Sequence, residues 1–319
     1  MKYTFIINPI SGGGQGKAIA SALPEVIESA GIAPFDYKIE YTSFPDTVLQ
    51  AAEYAKKCDM LIAVGGDGTA VDVISGIMES GSNCLFTLIP LGTGNDLGRI
   101  TGAYSCFKKE GLKGIIEGLL NQKSRGVDVW KVNKKQYMVN YFSVGFDAAV
   151  ASDFNNMRTK KKFSGLSVFL NYLGYFLCAF RNMRKRISRG ASATIVDENG
   201  REIKIRLGRY KAFIVSNVPS YGGGTLPAPS AKFDDRMLDI VVVRRMYTLA
   251  GLFFVRYFMP WFKRKYAARL THFYASSVYL KASVKDEYQI DGEVKEKADN
   301  KNGVFSVEYA GQIRTIFFS

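Results

Sequence analysis

Histidine is nearly absent from this chain: His272 is the only one in 319 residues. With no partner motif around it, a Ser-His-Asp or Cys-His nucleophile system is excluded, and so are metal centres built on several imidazoles. Cysteine is scarce too. Cys58, Cys84, Cys106 and Cys178 show neither disulfide pairing nor metal-ligand spacing, no signal pattern precedes Tyr3, and a reducing cytoplasm is the simplest compartment. The chemistry is left to carboxylates and to Lys or Arg. Carboxylates are themselves outnumbered, 29 acidic against 43 basic residues, and the net charge of +14 points to a polyanionic partner: nucleic acid, nucleotide or an anionic membrane. No zinc finger, RNP-like strand or basic zipper is present, which sets nucleic acid aside. Long apolar runs are missing as well. Gly165 to Phe180, broken by Ser167 and Asn171, and Leu249 to Phe262 both fall short of the roughly 20 apolar residues that a spanning helix needs.

Glycine, by contrast, is concentrated where apolar runs end. Met60 to Val64 leads directly into Gly65-Gly66-Asp67-Gly68-Thr69, the pattern of a buried strand handing over to a phosphate-binding turn. Residues without a Cβ let phosphate oxygens sit against bare N–H groups. The helix expected over Ala70 to Ser80 would aim its positive end at the same spot. A carboxylate beside phosphate is repulsive unless a cation lies between them, so Asp67 implies Mg²⁺; the alternative is a surface turn whose Asp caps the next helix. A second run, Ile7 to Gly16, follows the strand-like Tyr3 to Ile7, and a third, Pro90 to Asp96, follows Leu85 to Ile89. Three strand ends on one edge of a parallel sheet would let one nucleotide touch all three turns. Neither the P-loop nor the dinucleotide glycine spacing is present.

From Tyr3 to about Asn121, short apolar strands alternate with helical stretches such as Ile19 to Ser29 and Thr47 to Lys57, the βαβ signature of a covered parallel sheet. After Gly126 the pattern changes to short, mostly antiparallel strands: Ile203 to Leu207, Ala212 to Ser216, Leu238 to Val243, Val278 to Leu280 and Val304 to Tyr309. Domains of 1–125 and 126–319 follow. Helical runs expected over Phe163 to Arg186 and Leu249 to Ala268 interrupt the second. Basic clusters flank them, Arg158 to Lys162, Arg181 to Arg189 and Lys263-Arg264-Lys265, giving the composition of interfacial segments at an anionic membrane. Core helices with solvated charged ends are the alternative.

The three turns together resemble those of the diacylglycerol kinase catalytic family, lipid kinases that also include sphingosine and ceramide kinases and are distantly similar to NAD kinases. The matches are Asn8-Pro9-x-Ser11-Gly12, Gly65 to Thr69, Gly92-Thr93-x-Asn95-Asp96, Val127-Asp128-Val129, Asn140 to Asp147, and Gln289-Ile290-Asp291-Gly292-Glu293. They run in order over nearly the whole chain. One departure stands out: where bacterial members continue with an apolar residue and Asn-Glu, this chain reads Ala70-Val71-Asp72, which keeps the charge on a shorter arm and loses the amide.

The resemblance implies an α/β chain in which a three-layer parallel-sheet nucleotide domain precedes a C-terminal β-sandwich with helical insertions, the last strand packing back on the first domain. It implies ATP and Mg²⁺. Gly65, Gly66, Gly68 and Thr69 would hold the phosphates; Gly92, Thr93 and Asn95 would approach from the next turn; Asn8, Ser11 and Gly12 would cover the nucleotide, with Thr42 a weaker contact. Asp67, Asp96 and Asp128 would share the catalytic Mg²⁺ through water, a helix cap remaining open for Asp96 and a turn for Asp128. Glu293 would accept the proton of the attacking hydroxyl. Asp291 falls on the same strand face if the strand stays regular, a hairpin turn being the alternative. Pro227 to Asp239 resembles a segment that binds a second, structural Mg²⁺, with Asp235 as side-chain ligand and Lys232 and Met237 giving backbone carbonyls. Tyr221 to Gly224 would be a loop near the acceptor. The implied activity is transfer of the ATP γ-phosphate to a hydroxyl of a membrane lipid, diacylglycerol first and a ceramide or sphingoid base next. A soluble acceptor, as in the NAD kinases, and a non-catalytic nucleotide-binding membrane adaptor are the alternatives. The expected place is the cytoplasm, peripheral at the inner face of the membrane, with a homodimer compatible with the family.

Overall fold

The structure, a computed structural model, describes residues 1–30, 36–121, 123–160, 174, 177–245, 270–294 and 302–318. It divides into two compact units, Met1–Val129 with Gly311–Ser319, and Trp130–Ala310.

In the first unit, β1 (Lys2–Ile7), β2 (Asp36–Tyr41), β3 (Met60–Gly65) and β4 (Leu85–Pro90) form a parallel sheet in the order β2-β1-β3-β4. All six residues of β3 are buried, as are five of six in β1 and in β4. Strands covered on both faces read as continuous apolar runs, which is why they were legible in the sequence. The helices α1 (Ser11–Ser29), α2 (Thr47–Ala55), α3 (Asp67–Ser80), α4 (Asp96–Ile100) and α5 (Ala103–Asn121) connect them. The strand β5 (Ser124–Val132) carries Val127 and Val129 into this core. Crossover order places the glycine turns after β1, β3 and β4 together at the carboxyl ends of adjacent strands.

The second unit is antiparallel. One sheet runs β12 (Thr271–Ala275), β11 (Leu238–Val243), β10 (Ala212–Ser216), β7 (Tyr141–Gly145), β14 (Tyr288–Ile290), β15 (Glu293–Val294). Facing it are β9 (Glu202–Arg206), β8 (Ser192–Val196), β13 (Ser277–Lys281) and the first part of β16 (Val304–Ile316), with β6 (Gln136–Met138) hairpinned onto the end of β5. Trp130, Phe142, Phe213, Ile240, Val278 and Phe305 come from both sheets and share one core, the arrangement of a β-sandwich. Trp130 Nε1 finds its acceptor in Asn217 Oδ1 at 2.9 Å.

The helix α6 (Phe146–Lys160) was not expected from the sequence. Ala148, Ala149, Val150 and Ala151 are all buried in succession, so it shows no one-sided apolar stripe. Leu249 to Ala268 lies outside the described residues. Of Phe163 to Arg186, the described residues 174 and 177–182 are helical. Among the described residues, no helix is long and apolar enough to cross a membrane.

Candidate active site

The three turns interlock through main chain. Asn8 donates its backbone N–H to Val64 O at 2.9 Å, its side-chain amide reaches Thr69 Oγ1 at 3.3 Å, and its Oδ1 accepts from Ile10 N–H at 3.2 Å. Leu91 N–H bonds Gly65 O at 2.7 Å. A Cβ on Gly92 would lie 2.7 Å from Gly66 Cα and 2.8 Å from Asn95 Oδ1, closer than any real side chain is tolerated. Asn95 sits in the left-handed region (φ 52°), and its side chain closes the third turn by accepting from Gly92 N–H at 2.9 Å and donating to Gly92 O at 2.6 Å. Gly12, Gly13 and Gly14 all have positive φ, bending the chain before the regular part of α1 begins. Thr42, directly after β2, donates its N–H to Ile7 O at 2.9 Å and so borders the first turn.

Gly66, which has no side chain to cap with, occupies the N-cap position of α3, and Asp67 lies in the first turn. A helix N-terminus with glycine at the cap and its dipole's positive end exposed to the turn suits an anion. The capping alternative for Asp67 does not hold, and neither does that for Asp96, since Asn95 is the cap residue of α4. Asp128 is a fully buried strand residue rather than a turn residue, and its Oδ1 accepts from Gln312 Nε2 at 2.8 Å. Asp67 Oδ1 accepts from Leu97 N–H at 3.4 Å, which brings Asp67 beside the start of α4 and Asp96, the latter 2% exposed. Among the described residues no three acidic, His or Cys side chains converge as a direct metal-ligand set. A Mg²⁺ that keeps most of its waters and leans on one or two carboxylates and on phosphate fits this geometry; a three-carboxylate cage does not.

In the second unit the Asp291-Gly292 pair departs from the regular-strand expectation. Both residues have positive φ, 51° and 83°, and Ile290 pairs with Glu293, so they form a two-residue hairpin turn rather than alternating strand positions. Asp291 and Glu293 consequently do not share a strand face. The buried Asp291 carboxylate accepts three backbone N–H groups, from Val139 at 2.8 Å, Asn140 at 2.7 Å and Tyr141 at 2.8 Å. Burial pushes its pKa up to about 6; the three donors act downward and the nearby Glu293 charge adds to the rise. Glu293 itself is exposed. The helix α6 packs on both strands of this hairpin, and Asp147 lies in its first turn. Asp147 Oδ2 accepts from the Tyr221 hydroxyl and, at 3.1 Å, from Gln289 Nε2, while Asp147 Oδ1 is buried with no partner. Burial, with Asp147's charge behind it, raises the Tyr221 hydroxyl pKa far above its usual value.

The family model of the diacylglycerol kinase catalytic domain matches residues 2–132, and that of the diacylglycerol kinase accessory domain matches residues 137–294. The chain belongs to the diacylglycerol kinase family. It is thus a lipid kinase, a phosphotransferase with an alcohol group as acceptor. It is 26% identical over 242 residues to the diacylglycerol kinase of Bacillus subtilis (strain 168), covering 75% of this chain and 73% of that one. To diacylglycerol kinase 1 of Arabidopsis thaliana it is 29% identical over 181 residues, 51% of this chain and 25% of the plant protein, so the chain spans only a quarter of that relative. A crystal structure of a diacylglycerol kinase from Bacillus anthracis str. Sterne shares the fold, with a TM-score of 0.70 at 22% identity over 99% of this chain and 97% of that one.

In this kinase the stretch after Pro227 keeps Asp235 exposed, its Oδ1 accepting from Met237 N–H at 3.0 Å, with Lys232 exposed as well. Sequence reasoning overlooked Asp239. Its carboxyl is 3% exposed, Oδ1 has no partner, and burial together with the Asp235 charge pushes the pKa up to about 7. Two crowded carboxylates, one with an orphaned oxygen, fit a cation held by Asp235 and backed by Asp239. The Ser143, Asp147, Tyr221 and Gln289 cluster was also missed, because it is assembled from four elements. Its sequence signals were separate: the Asn140 to Asp147 segment, the Tyr221 to Gly224 loop and the Gln289 to Glu293 match, with nothing to show that they meet.

Proposed function

We propose that this kinase uses ATP with Mg²⁺ and phosphorylates the free hydroxyl of diacylglycerol to give phosphatidic acid. The observation that carries the reading is the interlock of the Asn8, Gly65 to Thr69 and Gly92 to Asn95 turns, with glycine at the N-cap of α3 and no room for a Cβ at Gly92. Backbone amides of Gly66 to Thr69 bind the phosphates, Ser11 and Gly12 cover them, and Thr93 and Thr42 border the nucleotide. Asn8 and Asn95 act by holding the turns in shape, since their own amides are engaged there. Asp67 and Asp96, with Asp128, would hold a Mg²⁺ through water, and that ion would supply neutralisation of charge on the transferring phosphate. Glu293 takes the proton of the acceptor hydroxyl, a role that typically contributes about 10²–10⁴ in rate. Asp291 positions Glu293 by fixing the hairpin, and Tyr221 and Asp147 present polar groups to the acceptor.

Peripheral attachment to an anionic membrane is supported by residues 177–189. There Leu177, Phe180 and Met183 are exposed at 52%, 65% and 43%, interleaved with exposed Arg181, Arg184, Lys185, Arg186 and Arg189. Apolar side chains alternating with cations suit lipid headgroups. Transfer of labelled γ-phosphate to diacylglycerol, monoacylglycerol, ceramide, sphingosine, phosphatidylglycerol and NAD in mixed micelles tests the reading. Label on diacylglycerol is the expected result. Label on NAD alone would overturn it in favour of a soluble acceptor, and ATP binding with no transfer would favour a sensor or adaptor.

A further inference from the structure

Two cysteines that look unrelated in the sequence meet in the first unit. Cys58 and Cys84 are 26 positions apart, yet their sulfurs lie 3.8 Å from each other. The cause is register: Met60 pairs with Leu85 in the parallel β3–β4 ladder, so the residues leading into the two strands are neighbours. Cys58 is half-buried and Cys84 is 5% exposed, and a shallow surface pocket lined also by Met1, Asp59, Ser82 and Asn83 opens onto both.

We propose that Cys58 and Cys84 are a redox modification site, a dithiol that peroxide converts to a disulfide joining the starts of β3 and β4. The sulfurs must close from 3.8 Å to about 2.05 Å, a movement within reach of side-chain rotation where the segments before both strands are exposed. The roles of the two thiols differ. The hydrogen bond between them lowers the Cys58 pKa, favouring its thiolate, while the same bond and burial raise that of Cys84. Cys58 thiolate attacks one peroxide oxygen, the O–O bond breaks, and the other oxygen leaves as hydroxide and is protonated to water. Cys84 sulfur then attacks the sulfenic sulfur of Cys58, the S–O bond breaks, and a second water departs with the remaining proton. Two electrons pass from the thiols to the peroxide in total.

The position of the pair tells what the bond does. It lies at the amino ends of β3 and β4, whereas the glycine turns follow their carboxyl ends, so the disulfide encloses β3, the Gly65 to Thr69 turn and α3 in one loop without entering the nucleotide site. Closing a loop of that length stabilises the fold by restricting the unfolded chain. The reduced full-length chain is titrated with hydrogen peroxide and digested without reductant for mass spectrometry, and its melting temperature is recorded before and after dithiothreitol. Expected are a Cys58–Cys84 linked peptide that dithiothreitol removes, a melting temperature about 5–10 °C higher in the oxidised form, and ATP affinity changed less than twofold. Cys84→Ser should halt at a Cys58 sulfenic acid trapped by dimedone, and Cys58→Ser should show no cross-link. Over-oxidation of Cys58 to the sulfinic acid without cross-linking, linkage through Cys106 or Cys178 instead, or an unchanged melting temperature in the linked form would each overturn the proposal.

Discussion

Replacing Asp291 with Asn puts numbers on the buried carboxylate that holds the hairpin of Glu293. The shape is kept. An oxygen in the place of Oδ1 still accepts from Asn140 and Tyr141, but an NH₂ in the place of Oδ2 meets Val139 N–H donor to donor. A buried donor left unmatched costs about 1–3 kcal/mol. Against that stands the native penalty for burying charge: a rise in pKa from 3.8 to about 6 corresponds to about 3 kcal/mol. Because the folded pKa lies above the unfolded one, the folded chain keeps its proton between pH 4 and 6 while the unfolded chain loses it. This group's contribution to stability is therefore fully present below pH 4 and is lost as pH rises through about 6. Asn has no such dependence. Urea unfolding should thus find D291N less stable than wild type at pH 4 and nearly level with it at pH 7, the difference shifting by about 3 kcal/mol in the variant's favour. At pH 7 kcat should fall tenfold or more with the KM for ATP unchanged, since only the setting of Glu293 is disturbed. A stability difference that does not vary with pH would refute the burial argument, and an unaltered kcat would refute the positioning role.

Glu293→Gln should lower kcat by about 10²–10⁴ and leave ATP binding intact by calorimetry; normal turnover would remove Glu293 as the base. Gly92→Ala, whose Cβ would lie 2.7 Å from Gly66 Cα, should weaken ATP binding by tenfold or more while circular dichroism stays that of the folded chain. Asp239, with its pKa pushed up to about 7, makes the metal-free protein lose stability between about pH 4 and pH 7. Millimolar Mg²⁺ should restore the melting temperature at pH 8 in wild type and not in Asp239→Asn, and no Mg²⁺ effect on wild type would dismiss the second cation. Tyr221→Phe frees Asp147 Oδ2 of one donor and should raise the KM for the lipid acceptor several-fold with that for ATP unmoved; a change confined to ATP would place the cluster elsewhere in the mechanism.

Strands β1, β3 and β4 of the first unit could be read because each is buried on both faces and therefore appears as a nearly unbroken apolar run, with glycines soon after its end, whereas β2, DYKIEY, is largely exposed or half-buried and shows no such run. Three-dimensional register could not be read. It is register that brings Cys58 to Cys84 and collects Ser143, Asp147, Tyr221 and Gln289 from β7, α6, a loop and β14. Local backbone choices were ambiguous for a different reason. Asp-Gly at 291–292 suits both a bent strand and a hairpin, and only the three N–H groups waiting for the carboxylate decide between them. Helix α6 escaped notice because a helix buried on most sides leaves no periodic stripe.

The proposed phosphate cradle would rest on main-chain amides and on the absence of side chains at Gly66 and Gly92. An inhibitor that engages those amides would leave few routes to resistance. No substitution of a side chain removes a backbone N–H, and a Cβ on Gly92, 2.7 Å from Gly66 Cα, would disturb the proposed ATP site together with the drug's. Selectivity among related kinases would then have to come from side chains outside those amides, and Val71-Asp72, where the bacterial pattern reads Asn-Glu, is one place where this chain departs.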